Sequence, residues 1–146
     1  MTDPTRADTG IVLFAHGARD PEWAKPLRHI SATFAARDPA LPVRLAFLEF
    51  MTPSLADAVA TLIPDGITRI TLVPRFLAQG GHLKHDLPIL LDEIRARHPR
   101  VTIQVTEAIG DAPELVTAIS EWALGRHREH GAASQVASSP RSAAAT

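Results

Sequence analysis

The sequence of 146 residues contains no cysteine. This absence excludes disulfides, thiolate metal ligands and cysteine nucleophiles. No apolar run approaches the ~20 residues of a membrane-spanning helix, so we expect no membrane contact. A basic surplus is also missing, because the formal net charge is −1, whereas a general nucleic-acid binder normally carries clustered positive charge. We therefore expect no nucleic-acid partner.

The chain has enough apolar material for one folded domain. Hydrophobic residues make up 45% of it, and its length is near the modal size of a single domain. The polar N-terminus shows no signal-peptide pattern, so we expect a cytoplasmic protein. We predict a flexible N-terminus over residues 1–9, a folded domain over 10–125 and a disordered C-terminal tail, rich in Ala and Ser, over 126–146.

Predicted strands and helices alternate along this domain. The strands cover about residues 11–15, 43–49, 67–74 and 101–105. Between and after them, apolar residues recur at helical spacings of three and four, and the segments Asp20–Glu22 and Thr52-Pro53 predict capped helix starts. The alternation predicts an α/β fold of the flavodoxin-like kind, with a four-stranded parallel sheet and helices on both faces. Alternating apolar and polar residues in the last strand indicate an edge of the sheet.

Three polar side chains follow the ends of three successive predicted strands. They are His16, Glu49 and His82, spaced 33 residues apart. Ligands bind at the carboxyl ends of parallel strands, and two imidazoles with a carboxylate suit proton transfer, divalent-metal binding or both. Gly17 would let a ligand approach the backbone beside His16. The plainer interpretations are a structural histidine, a solvent-facing glutamate and a glycine turn with an exposed histidine.

Glycine and basic residues lie near these three positions in the sequence. Gly80 and Gly81 directly precede His82, and paired glycines adopt backbone conformations closed to other residues. Three basic residues also flank the predicted site: Arg19, Arg75 and Lys84. They are suited to hold ligand carboxylates through charge-assisted hydrogen bonds, although each is equally suited to a solvated surface.

The segments 14–20, 47–53 and 74–82 resemble the class II chelatases that act on sirohydrochlorin. The chain is most similar to the small, single-repeat form that inserts cobalt in cobalamin biosynthesis, and the resemblance covers about residues 10–122. It implies a lyase that inserts a divalent metal into a tetrapyrrole without ATP, acting as a homodimer. On this resemblance, His16 and His82 are the two active-site histidines and Glu49 is their acidic partner, and all three serve both catalysis and metal binding.

The chemistry of metallation suits these residue types. A tetrapyrrole must lose two pyrrole protons and receive a partly desolvated metal ion, and imidazole both accepts protons near neutral pH and binds divalent metals. Sirohydrochlorin carries many carboxylates, which gives the basic residues a purpose. We therefore assign to substrate binding Arg19, Arg75, Lys84, Gly80 and Gly81. No cofactor is expected beyond the divalent metal substrate.

Residue types leave the metal open, because imidazole suits cobalt, iron and nickel alike. Insertion of Co²⁺ is the leading hypothesis, and a sirohydrochlorin ferrochelatase of sirohaem synthesis or a nickel chelatase shares every motif. From another class, a non-catalytic metal carrier or tetrapyrrole-binding protein would use the same histidines. The strand motif with its His-Gly pair occurs once, so the chain is not a duplicated long form.

Overall fold

A computed structural model describes residues 8–74 and 81–138, with side chains for 8–74 and 84–132. The strands are β1 (Thr9–Ala15), β2 (Val43–Phe47), β3 (Arg69–Pro74) and β4 (Thr102–Val105). The helices are α1 (Lys25–Arg37), α2 (Leu55–Leu62), α3 (Gly81–Arg97) and α4 (Pro113–Ser138), with 3₁₀ turns at Pro21–Ala24 and Ile109–Asp111. The chain divides into two compact units between Asp111 and Ala112.

The four strands form one parallel sheet in the order β2-β1-β3-β4. The predicted fold class is therefore confirmed, and β4 is an edge strand as its alternating pattern indicated. The chain moves from β1 outwards to β2, then crosses back to β3 on the other side of β1. This reversal makes the carboxyl ends of the central strands a switch point, where open α/β sheets bind ligands.

Helices cover both faces of the sheet because side chains alternate along its strands. Val12 and Phe14 of β1 point to one face, in a buried cluster with residues of α2 and α3. Ala15 and Phe47 point to the opposite face and pack with Leu27 of α1. The continuous apolar character of β1 thus reflects a strand buried on both sides, as is usual for a central parallel strand.

The helix starts follow the predicted chemistry with one shift. Asp20 accepts a hydrogen bond from the Glu22 backbone N–H at 3.0 Å, which confirms the predicted cap. This cap opens a 3₁₀ turn, and the α-helical part begins only at Lys25. The second helix begins later than predicted, since the Ser54 hydroxyl caps α2 by accepting from the Asp57 backbone N–H at 3.2 Å.

The predicted flexible N-terminus is wrong at residues 8 and 9. Thr9 belongs to β1 because it pairs with Arg69. Asp8 accepts hydrogen bonds from the Thr68 hydroxyl at 2.8 Å and from the Arg69 guanidinium at 3.2 Å. These two bonds stabilise the carboxylate and lower the pKa of Asp8 from its ordinary value.

The predicted disordered tail is wrong for residues 126–138, because α4 continues to Ser138. Alanines favour this extension, and Arg126 pairs with Glu129 one turn later at 3.0 Å. Residues 139–146 lie outside the described part of the chain. The described helices include none that is long and apolar enough to cross a bilayer.

Candidate functional site

Backbone pairing between the first two strands continues past their ends into the site. The Leu48 N–H donates to the Ala15 carbonyl at 2.9 Å, and the Glu49 N–H donates to the His16 carbonyl at 3.0 Å. These bonds lie one residue beyond the end of β1 and up to two residues beyond the end of β2. The backbone of Glu49 is therefore held beside that of His16 by a direct hydrogen bond.

The side chains of His16 and Glu49 meet directly. Nε2 of His16 lies 2.7 Å from Oε1 of Glu49, a hydrogen bond that becomes an ion pair when the imidazole is protonated. The side chains are 52% and 49% exposed, respectively. The pair is thus open to solvent, and the carboxylate is engaged by an imidazole instead of pointing alone into water. An imidazole–carboxylate pair of this kind can exchange a proton or share a metal ion.

Gly17 has a structural role that the sequence did not predict. Its φ is +95°, in the region that L side chains rarely adopt. The backbone of Glu49 passes so close to Gly17 that no Cβ would fit between them. The Glu49 backbone therefore already requires a glycine at this position, and the approach of a ligand beside His16 stays a prediction.

Phe50 is a residue that the sequence interpretation missed. It has a φ of +66° and is 56% exposed, next to Glu49 in the chain. The Arg19 guanidinium carbon lies 5.2 Å from the centre of its ring, in cation–π contact. A non-glycine residue in the left-handed region costs about 1–2 kcal/mol, whereas an exposed cation–π contact contributes about 0.5–1 kcal/mol. The contact with Arg19 therefore offsets only part of the cost of this conformation.

No sequence pattern marks a phenylalanine at positive φ, since this region favours Gly, Asn and Asp. The available signal was its position beside a candidate acidic residue. Besides their backbone contacts, the segments 16–20 and 47–53 meet through two side-chain pairs, His16 with Glu49 and Arg19 with Phe50. These two contacts define the candidate site.

The remaining predicted site residues are placed less completely. Gly81 begins α3, and His82 lies in the first turn of this helix and not in a loop as expected. Its side chain lies outside the described residues, as do Arg75 and Gly80. Lys84 is exposed and borders a shallow depression that also contains Val105 at the end of β4. Among the side chains that the structure describes, no group of three His, Asp or Glu residues is close enough to hold a metal ion.

The fold and the site define an α/β protein with an imidazole–carboxylate pair at the carboxyl edge of a parallel sheet. The family model named CbiX matches residues 10–123 of this sequence. The chain therefore belongs to the CbiX family, as the resemblance implied.

Relatives of known name are similar over most of this region. A sirohydrochlorin cobaltochelatase of Saccharolobus solfataricus is 34% identical, over 68% of this chain and 79% of that protein. Another, from Methanococcoides burtonii, is 35% identical over 56% of this chain and 63% of that protein. Both share a name that specifies the substrate and the metal.

Solved structures share the fold. A CbiX protein from Marinobacter aquaeolei VT8, whose name refers to cobalamin (vitamin B12) biosynthesis, has a TM-score of 0.73 and 30% identity, over 83% of this chain and 98% of that one. The sirohydrochlorin chelatase SirB from Bacillus subtilis subspecies spizizenii, in complex with cobalt, has a TM-score of 0.66 and 26% identity, over 78% of this chain and 49% of that one. SirB from Bacillus subtilis with Fe³⁺ has the same TM-score, 27% identity and coverage of 78% and 45%.

Proposed function

We propose that this protein is a lyase that inserts Co²⁺ into sirohydrochlorin without ATP, in cobalamin biosynthesis. The observation that carries the proposal is the pair of His16 and Glu49, at 2.7 Å and open to solvent. It stands in a chain whose relatives are named sirohydrochlorin cobaltochelatases. The reaction needs no resident cofactor, because the divalent metal is itself a substrate.

The geometry of the pair supports metal exchange. Nitrogen and oxygen ligands ~2.0–2.2 Å from a shared divalent ion lie about 3 Å or slightly more apart, while the two atoms of the pair are 2.7 Å apart. A small outward movement therefore lets the metal replace the proton between His16 and Glu49, and this proton passes to the surrounding water. Once the metal leaves for the macrocycle, the pair is free to take a pyrrole proton in its place.

His82 is proposed as the second histidine of the site on the resemblance alone. It follows β3, the strand that pairs with β1 opposite β2. In this proposal His82 contacts the metal or accepts the other pyrrole proton. Arg19, Arg75 and Lys84 bind carboxylates of the macrocycle, and Gly80 and Gly81 also contact it.

The choice between enzyme and carrier follows from how many ligands the protein supplies. A carrier is expected to surround its metal with a closed set of ligands, whereas two histidines and a carboxylate leave positions open for exchange. The half-exposed pair supports the enzyme. A carrier would bind metal stoichiometrically and leave the rate of macrocycle metallation unchanged.

Iron is the second candidate metal because one SirB structure holds Fe³⁺ and another holds cobalt. An anaerobic absorbance assay of sirohydrochlorin with Co²⁺, Fe²⁺ or Ni²⁺, each with and without protein, separates the metals. We expect the largest acceleration with Co²⁺. A larger one with Fe²⁺ would make the protein a ferrochelatase, and no acceleration with any metal would refute the enzyme.

A homodimer in the cytoplasm is the proposed working form. The exposed large apolar residues of α4 support it: Leu115, Val116, Ile119, Trp122 and Leu124. Apolar residues gathered on one exposed helix are typical of a protein interface. This chain also corresponds to nearly all of the Marinobacter chain but to only about half of SirB. A homodimer would therefore contain about as many residues as one SirB chain. Light scattering that gives a monomer mass across micromolar concentrations would refute the dimer.

A further inference from the structure

Phe50 is the feature that the proposed chemistry leaves unexplained. Its ring is 56% exposed, whereas the residues on either side of it make contacts with the rest of the protein. Glu49 is held by His16, and Met51 packs inwards on the cluster that contains Ala15 and Phe47. Phe50 contributes to neither of these contacts, yet its backbone holds the unfavourable φ of +66° that keeps the ring outside.

Local stability does not account for this arrangement. An exposed phenylalanine in the left-handed region has a strained backbone and leaves its apolar ring in contact with water. Its contact with Arg19 offsets only part of the strain. Strained residues that persist at a site are commonly retained for binding. Phe50 also follows Glu49 directly in the chain, and its partner Arg19 lies three residues after His16.

We propose that Phe50 and Arg19 form a platform for the tetrapyrrole. This inference rests on the proposed function and extends it by a residue that contacts the face of the macrocycle. The Phe50 ring packs against the flat, conjugated tetrapyrrole, as aromatic side chains do against other flat ring systems. Arg19, held over the ring of Phe50, binds a peripheral carboxylate.

The two residues suit the two chemical features of the ligand. A cation–π contact uses none of the guanidinium N–H donors, so these groups of Arg19 stay suited to carboxylates while the guanidinium rests on the ring. The platform is joined in sequence to the metal-exchanging pair, Arg19 three residues after His16 and Phe50 one residue after Glu49. A macrocycle seated on Phe50 is therefore brought to the atoms that deliver the metal.

The decisive variant is Phe50→Gly, because glycine removes the ring and tolerates positive φ. We expect its affinity for metal-free sirohydrochlorin, measured by anaerobic fluorescence titration, to fall about tenfold or more, as for the loss of one stacked ring. The melting temperature should stay the same or rise because the strain is relieved. Affinity for Co²⁺ alone should be unchanged, and KM for the macrocycle should rise more than kcat falls.

Ile89→Ala is the matched control, since it removes another exposed apolar side chain, 49% exposed on α3. It should bind sirohydrochlorin as the wild type does. Phe50→Trp keeps an aromatic face and should retain most of the affinity, whereas Arg19→Gln should weaken binding of the carboxylate-bearing ring.

Each alternative outcome is distinguishable. If Phe50→Gly binds sirohydrochlorin like the wild type while the wild type metallates it, the platform is wrong and the proposed function stands. If Co²⁺ affinity falls in parallel, Phe50 acts by positioning Glu49 and the platform is again wrong. A wild-type protein that neither binds nor metallates sirohydrochlorin overturns both proposals.

Discussion

The carbonyl oxygen of Glu49 lies where a Cβ of residue 17 would stand, so the backbones of Gly17 and Glu49 exclude any side chain at position 17. A backbone hydrogen bond accompanies the close approach, because the Glu49 N–H donates to the carbonyl of His16, the residue before Gly17. The position of the candidate acid therefore depends on a residue with no functional group of its own.

Gly17→Ala should destabilise the protein by about 3 kcal/mol or more, since it combines left-handed strain with a backbone clash. Gly66→Ala is the matched control, because Gly66 also has positive φ, +79°, but has nothing within 4 Å of the position of a Cβ. It should cost only the strain, about 1–2 kcal/mol. Urea unfolding of the two variants measures the difference. Equal destabilisation of the two variants would show that the backbone at Glu49 moves away from residue 17 without an energetic cost.

Replacing His16 or His82 by Ala should lower the rate of Co²⁺ insertion by roughly 10²-fold or more, as expected for a positioned acid–base group. The fold should survive in the His16 variant because its side chain is half exposed and contributes little packing. His29→Ala, on the exposed surface of α1, is the control. Steady-state kinetics with circular dichroism provides the test. Turnover at the rate of the control in both variants would disprove the catalytic site.

Glu49→Gln keeps the shape of the side chain and removes its charge. Because the amide is a poor metal ligand and cannot take up a proton, Co²⁺ affinity and insertion rate should both fall, while affinity for metal-free sirohydrochlorin changes little. Separate titrations with Co²⁺ and with the macrocycle distinguish these effects. A loss confined to macrocycle binding would mean that Glu49 contacts the substrate and not the metal.

Asp8→Asn should lower the melting temperature slightly at pH 7 and have no effect in acid. The pKa of Asp8 is lowered in the folded protein, first by the Thr68 hydroxyl and then by Arg69. Its carboxylate therefore stabilises the fold at pH values above the ordinary pKa of 3.8. This contribution is lost as the pH falls through the lower pKa that Asp8 has in the folded protein. Thr68→Val should reproduce part of the effect. A difference that does not shrink as the pH falls below 3.8 would refute this origin.

Trp122→Glu should shift the protein from dimer to monomer if α4 forms the interface. The side chain is 65% exposed in the single chain, and a buried charge at an interface core is costly. Arg128→Glu places a new carboxylate at another exposed position of the same helix and should leave the dimer intact. Sedimentation of both variants at micromolar concentration gives the answer. An unchanged mass for Trp122→Glu would place the interface elsewhere.

The sequence predicted the sheet because its signals were local and strong. The apolar run of β1 is buried on both sides, and the Asp20-Pro21 start is a cap in the structure. The convergence of His16 and Glu49 followed from the rule that parallel strands share a carboxyl edge.

What the sequence did not predict depends on non-local geometry. The role of Gly17 arises from a backbone that lies 32 residues away in the chain. Phenylalanine rarely adopts a positive φ, so residue preferences predict a different backbone conformation for Phe50. The helical extension to Ser138 was hidden by Ala- and Ser-rich composition, which is shared by helices and unstructured tails.

The partial exposure of His16 and Glu49 also bears on how strongly they act. With solvent around them, water screens the charges of the imidazole and the carboxylate, so their electrostatic interactions with each other and with a metal ion are weak. A flat macrocycle resting over the pair displaces this water and lowers the local dielectric constant, so the same charges interact more strongly. In the chemistry that we propose, binding of the substrate therefore strengthens the interaction of the pair with the metal, and release of the product weakens it again.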